Sequence, residues 1–428
     1  MDTLSESTRH SDGGSVKAPM IGNTFAALRH RSFRLYWSGQ CVSLIGTWMQ
    51  STAQAWLILK LTDSAYLLGL VSSIRFIPTL ALSLFTGVII DRISKRNLIL
   101  LTQTTLMVLA FGLGALIQLG LVRYWHVLAM SALVGVAESI DGPARQAFVK
   151  DMTDGTDLMN AVALNSAIFN LARMLGPALA GLVIGKAGFA PCFFLNGASF
   201  LAVIAGLMLV PASKPARPET HRKMLDDLAE GLAYVRSTPA ISTVIMLVFG
   251  MSLFLLNPAV LVPAFAERVL HQEATGYGLL MSAMGVGAVM GAVALAAHSV
   301  RGLQARLILW AAFCWSGLLI LLGFTQVYMA SAIVLALVGW AQITFNAAAN
   351  TWVQMNSPDR MRGRIMSAYM LVHNGVVPFG SLLTGWLAQN HGANIAAIVL
   401  GMLALTFAIL VAFKRTSIWS VPAGTSMP

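Results

Sequence analysis

Twelve long apolar runs leave this chain few ways to fold. They lie at roughly residues 35–60, 66–90, 97–119, 125–148, 160–186, 190–211, 240–266, 276–298, 304–324, 327–352, 363–390 and 393–413. One helix needs about 20 apolar residues to cross the ~30 Å hydrocarbon core of a bilayer. Inside lipid every backbone N–H and C=O must pair within the protein, so only helices and closed barrels span it. The runs are long and unbroken rather than short and alternating, which selects helices. Of the 428 residues, 57% are hydrophobic and 11% charged, against roughly 25% charged in a soluble domain. The expected fold class is an all-α membrane protein with 12 transmembrane helices.

The net charge of +11 raises nucleic acid as a partner, but the placement of the cations argues for topology instead. Arg29, Arg31 and Arg34 precede the first run, and Arg92, Lys95 and Arg96 separate the second from the third. Lys150, Lys214, Arg217, Arg222, Lys223, Arg236, Arg301, Arg306, Arg360, Arg362, Arg364, Lys414 and Arg415 fall on the same side. The opposite loops carry little beyond Lys60, Arg123, Lys186 and Arg268. Cytoplasmic loops collect Lys and Arg, so both termini are expected in the cytoplasm and the basic balance serves the lipid bilayer, not nucleic acid. Residues 1–24 lack an apolar core, so the first run is expected to direct insertion without a cleaved signal.

The organisation reads as residues 1–34, a cytoplasmic tail; 35–211, a six-helix bundle; 212–238, a cytoplasmic linker; 239–414, a second six-helix bundle; and 415–428, a cytoplasmic tail. In the linker, Leu225, Leu228, Leu232 and Val235 recur at helical spacing opposite Asp226, Asp227 and Glu230. This predicts an amphipathic helix, either on the cytoplasmic membrane surface or solvated. A shift of 204 residues lays 135–188 on 339–392 without gaps. Gly135, Ala137, Ala144, Val149, Asn170, Gly176, Leu179, Gly181 and Gly188 then meet identical residues, and Gly87 meets Gly291. Small residues at fixed places let helices approach closely. Parallel repeats of six helices belong to transporter folds with a midplane site between the halves.

Charges within the runs are the sharpest local feature. A lone charge at the bilayer centre costs at least ~2.5 kcal/mol, so Arg75, Glu138, Asp141 and Arg173 are expected to pair or face water. Glu138, Asp141 and Arg145 stand at i, i+3 and i+7, one helix face, which should line a cavity. Glu138 or Asp141 could carry a coupling proton; a fixed ion pair is the structural alternative. Polar stripes point to the same wet path: Gln40, Ser43, Thr47, Gln50 and Gln54 on the first run, and Gln342, Asn346 and Asn350 on the tenth. Interhelical hydrogen bonds are the plainer explanation, at ~0.6 kcal/mol each. Asn257 beside Pro258 suggests a break in the seventh run, while His373 could titrate or be structural. Trp48, Trp56 and Trp340 could stack on a flat substrate or anchor at the interface.

Four local motifs carry a resemblance. Gly87, Asp91, Arg92, Lys95 and Arg96 fit the order G-x-x-x-D-R-x-x-K-R between the second and third runs. The equivalent stretch from Gly291 to Arg301 lacks the Asp-Arg pair. Asp141, Pro143, Ala144, Arg145, Gln146 and Phe148 form D-x-P-A-R-Q-x-F, and Leu164, Asn165, Ser166, Asn170 and Arg173 follow in the fifth run. Gly176, Pro177 and Gly181 approximate G-P-x-x-G-G, with Ala180 replacing one glycine. On these residues the chain resembles the major facilitator superfamily, and within it the bacterial drug- and siderophore-exporter branch similar to the enterobactin exporter.

The resemblance implies a latch between the halves at Asp91 and its neighbouring cations, with Arg145 as a candidate partner. It also implies substrate-cavity roles for the polar stripes, Asn170, Asn257 and His373, and an antiporter-like element at Gly176, Pro177 and Gly181. No phosphate-binding loop, nucleophile elbow or Cys/His metal spacing occurs, and Cys41, Cys192 and Cys314 lie in or beside apolar runs. The chain is therefore expected not to be an enzyme and to need no cofactor or metal. The expected activity is proton-coupled efflux of a small amphipathic substrate by a monomer in the bacterial inner membrane. A metabolite facilitator or importer, and a non-transporting membrane sensor or scaffold, are the alternatives.

Overall fold

The computed structural model describes residues 25–153, 157–211, 224–298 and 305–414. Every regular element in them is helical. After a short 3-10 turn, Ala26–Arg29, come α1 (Arg31–Thr62), α2 (Ala65–Arg92), α3 (Lys95–Gln118), α4 (Tyr124–Met152), α5 (Leu158–Ala187) and α6 (Ala190–Met208). The second series is α7 (Met224–Ser237), α8 (Pro239–Leu255), α9 (Pro258–Arg268), α10 (Ala274–His298), α11 (Ala305–Phe324) and α12 (Tyr328–Met355). It ends with α13 (Arg362–Gly375), α14 (Val377–His391) and α15 (Ala393–Lys414).

Among the described residues, 10 helical segments are long and apolar enough to cross a membrane, with α8 and α9 counted together. Two of the expected spans fall outside that set, for different reasons. The 32 residues of α1 give a length of about 48 Å, but its polar stripe dilutes the apolar character. The eleventh run is broken into α13 and α14, of 14 and 15 residues, each too short alone. Pro378 sits in the first turn of α14, where its missing N–H costs nothing. The break expected at Asn257 is present: α8 ends at Leu255 and α9 begins at Pro258.

Helices α1–α6 pack on one another, as do α8–α15, and the two groups meet chiefly where α5 lies along α10 and α2 along α14. The internal repeat explains these contacts. A Cβ at Gly135 would run into the Arg75 carbonyl on α2, and one at the repeat-related Gly339 into the Met284 carbonyl on α10. A Cβ at Gly181 would sit 2.7 Å from the Ala274 carbonyl, and one at Gly385 2.6 Å from that of Ala65. The former pair lets helices touch within a group, and the latter joins the groups. Gly188 and Gly392, also repeat-related, end α5 and α14 at φ 79° and 90°, a region that disfavours side chains.

The apolar core is lopsided. The largest cluster joins residues of every helix from α8 to α15 and reaches Trp56, Leu59 and Ala65 at the ends of α1 and α2, whereas the rest of α1–α6 is spread over three smaller clusters. The amphipathic helix α7 packs Leu228, Leu232 and Val235 on the larger cluster, and Glu230 meets Arg364 at 2.8 Å. It is thus docked on protein through its apolar stripe, which neither a membrane-surface nor a solvated placement anticipates; the Leu225 side chain lies outside the described residues.

Replacing Gly339 by Ala should lower thermal stability in detergent by about 1–3 kcal/mol, the usual cost of overpacking. Gly317→Ala on α11, where a Cβ meets nothing within 4 Å, should leave it unchanged. Melting curves of the two purified variants decide this.

Candidate functional site: a charged cavity between the two helix groups

A cavity of about 800 Å³ lies between the groups, within the size range of small-molecule sites. Its five charged lining residues, Arg75, Glu138, Asp141, Arg145 and Arg173, all come from α2, α4 and α5. From the other group come Asn257, Met281, Met284, Gln342, Asn374 and Ser381, among others, with no charge.

The charges form two separate pairs. Arg75 grips Glu138 bidentately, Nε to Oε2 at 2.9 Å and Nη2 to Oε1 at 2.5 Å, and its Nη1 reaches Ser51 at 3.4 Å. Both side chains keep some exposure, 25% and 35%. Asp141 is enclosed more tightly. Its Oδ1 accepts from Thr102 Oγ1 at 2.6 Å and Gln103 Nε2 at 2.9 Å, both on α3. Arg145 Nε approaches Oδ2 at 2.5 Å as an ion pair lacking hydrogen-bond alignment. Arg145 Nη1 also donates to Gln40 on α1 at 2.5 Å, and Gln40 donates to the Tyr36 hydroxyl at 3.1 Å. Helices α1, α3 and α4 are thereby tied at one level.

Arg173, expected to pair or face water, has no carboxylate partner among the described residues. Arg145, one turn from Asp141, takes that carboxylate. Arg173 instead donates from Nη2 to Gln342 Oε1 at 2.5 Å, across the boundary between α5 and α12.

The polar stripes divide between lining and packing. Gln40, Thr47, Gln50 and Gln54 all line the cavity. Gln50 accepts from Asn196 on α6 at 2.7 Å, and Gln54 donates to Ser131 on α4 at 2.8 Å. Gln342 and Asn257 line it too, the latter accepting from Ser381 at 2.8 Å. Asn346 and Asn350 do not: the Asn346 side-chain amide oxygen is buried without a hydrogen-bond partner among the described residues, and Asn350 accepts from Gln354 at 2.6 Å. Asn170 turns back to the Ser166 carbonyl at 2.8 Å, outside the cavity. His373 also stands off, bonded to Ser252 at 3.0 Å and stacked on Tyr369, while its neighbour Asn374 lines the wall. Of the tryptophans only Trp48 faces the cavity; Trp56 is buried against Tyr277 and Trp340 is on the outer surface.

The loop motif makes contacts inside one group. Lys95 pairs with Asp151 at 2.8 Å and Arg96 donates to the carbonyls of Leu207 and Met208, at the end of α6. Arg92 is exposed, and the surroundings of Gly87 and the side chain of Asp91 lie outside the described residues. Arg145, suggested as the partner of Asp91, is engaged by Asp141 and Gln40. Gly176 and Pro177 are buried, with Gly176 against α1 at Trp48 and Gly181 against α10.

At the opposite end, two cations read from sequence as mere strays bridge the groups. Lys60 meets Glu267 at 2.5 Å and Arg268 meets Asp63 at 3.1 Å. Gln389 accepts from the Ala65 N–H at 2.8 Å, and Trp56 stacks on Tyr277 at 5.2 Å beneath the Lys60 ammonium. Thr102, Gln103, Ser131 and Asn196 were likewise missed. Their one sequence signal is polarity at mid-run depth.

Comparison with known proteins agrees with this architecture. Residues 22–424 match the family described as Transmembrane secretion effector. The chain is 24% identical over 375 residues to the Staphyloferrin A transporter of Staphylococcus aureus, covering 84% of this chain and 90% of that one. It is 24% identical over 396 residues to the Enterobactin exporter EntS of Escherichia coli, covering 90% and 93%. In fold it is similar to a bacterial homolog of the human lysosomal transporter Spinster in an inward-facing, unoccupied conformation, with TM-score 0.72, 12% identity and coverage of 95% and 100%. The match over nearly the whole length, with a polar cavity between two packed helix groups, makes this chain a member of the transmembrane secretion effector family of major facilitator transporters.

Proposed function

We propose that this protein exports a small amphipathic molecule, of the siderophore or drug type, from the cytoplasm across the bacterial inner membrane, driven by protons. The observation that carries this reading is the cavity itself, lined by carboxylate–guanidinium pairs on one wall and neutral groups on the other. In this reading the chain crosses the membrane twelve times, with α1 and the α13–α14 pair added to the ten apolar spans. Both termini are cytoplasmic, each set of six spans forms one bundle, 35–211 and 239–414, and the monomer is the working unit. No cofactor is needed.

The places where the bundles touch support alternating access. Their close contacts join Gly181 to Ala274 and Gly385 to Ala65, at the same end as the Lys60–Glu267 and Asp63–Arg268 pairs. That end is the outside in the proposed topology, so the conformation is closed outward. Partly exposed ion pairs contribute about 0–1 kcal/mol each, a seal weak enough to part. The Asp91 motif would form the matching inner latch when the cavity opens outward.

Glu138 supports the proton-carrier role better than Asp141. Asp141 is the more enclosed of the two, its carboxylate held by Arg145 and by two neutral donors on α3, Thr102 and Gln103. Glu138 has one cationic partner, a 35% exposed side chain and a place on the cavity wall. Loss of its charge would free Arg75, changing the wall's electrostatics with each proton.

In everted vesicles, uptake of a substrate found from a panel of siderophores and amphipathic antibiotics should collapse on adding an uncoupler. Uptake indifferent to the uncoupler for every compound would sink the coupling. Glu138→Gln should reduce accumulation to the uncoupled level while the protein stays folded. Asp141→Asn should instead cost about 3–5 kcal/mol of stability, as breaking a buried pair does, read as a lowered melting temperature. Lys60→Glu, which sets like charges against Glu267, should raise labelling of a cysteine at Ala55 by an external, membrane-impermeant maleimide. Unchanged labelling would remove this pair from the outer seal.

A further inference from the structure

We infer that Arg173 and Gln342 form an anion subsite in the cavity, and that the preferred substrate is an amphiphile bearing a carboxylate. This rests on the exporter reading and narrows its substrate.

The argument begins with charge. The described cavity residues include three guanidiniums and two carboxylates. Both carboxylates are spent inside α2 and α4: Glu138 on Arg75 and Asp141 on Arg145. Arg173 keeps its charge with a neutral oxygen as its described partner, Gln342 Oε1, through one N–H. A guanidinium presents five N–H donors in a planar fork suited to two carboxylate oxygens. One acceptor atom therefore leaves most of that fork available. The described cavity residues sum to a formal charge of +1, from three guanidiniums and two carboxylates.

Geometry places this excess where a substrate would bind. Arg173 and Gln342 come from different helix groups and both line the cavity. An oxygen of the ligand arriving beside Gln342 would meet the guanidinium from within the cavity. The Gln342 amide, rotated, could add an N–H donor of its own. One turn before Arg173 on α5, Phe169 lines the wall with Trp48, their rings 5.6 Å apart. Met281 and Met284 face in from α10. These four provide a soft apolar shelf for the rest of the molecule. Desolvated charge pairing then discriminates: an anionic head gains the fork, a neutral amide gains less, and an ammonium meets a repulsive wall.

The test uses two fluorescent probes that differ in one group, dansyl-phenylalanine and dansyl-phenylalaninamide, titrated against the full-length protein in nanodiscs. Wild type should bind the carboxylate about tenfold more tightly, the ratio set by one charge-assisted pair. Arg173→Gln should bring the two affinities together. Gln342→Glu keeps the guanidinium but gives it a built-in anion, and should erase the preference as well. Arg173→Lys should retain part of it. Equal affinities in wild type, a preference that survives both Arg173→Gln and Gln342→Glu, or no binding of either probe at millimolar concentration would each overturn the inference. Flux in everted vesicles separates this from the exporter reading: uncoupler-sensitive export of a neutral or cationic compound would leave that reading standing when the anion preference fails.

Discussion

An ionised side chain in hydrocarbon has to find a counter-charge, a set of hydrogen bonds or water. In this protein that requirement organises α1–α6. Arg75 and Glu138 satisfy each other, and Asp141 gathers Thr102, Gln103 and Arg145 around one carboxylate. The polar layer interrupts the apolar packing, which is why this group holds three small clusters while α8–α15 share one large one. The two groups are related by an internal repeat yet are chemically unlike. One supplies the charges of the cavity and the other a neutral wall.

Close helix contact depends on a different rule. Between lipid-embedded helices there is little hydrophobic driving force, so backbone proximity through small residues must supply the packing. The repeat-related glycines meet this need in equivalent places, Gly135 and Gly339 within the groups and Gly181 and Gly385 between them. Dispersion contacts at such points depend steeply on distance. They give a firm line of contact, whereas the ion pairs of Lys60 and Arg268 at its end are partly exposed and individually weak.

Much of the cavity was legible in the residues. The spacing of Glu138, Asp141 and Arg145 placed them on one face, and Gln40 to Gln54 followed the same logic on α1. The tenth-run stripe divides. Gln342 lines the cavity but Asn346 and Asn350 do not, since residues four apart drift about 40° around a helix at each step. A stripe read by spacing therefore turns away from its starting neighbour. Asn170 and His373 lie off the cavity for a related reason. Polarity at mid-span depth does not say which helix lies opposite. The clasp between the groups was illegible because Lys60, Asp63, Glu267 and Arg268 are ordinary loop-end charges until folding brings residues some 200 positions apart together.

Local order alone determined that the chain is helical and embedded in a membrane, that it repeats itself, and that charged groups sit where lipid would not tolerate them bare. These follow from length, hydropathy and periodicity, which are properties of neighbours along the chain. Which acid meets which base was decided only in three dimensions. Asp141 had two arginines within plausible reach, and the fold gave it Arg145 one turn away while turning Arg173 toward a glutamine of the other helix group. Pairing depends on distances between helices, and those are set by packing that no single stretch of sequence contains.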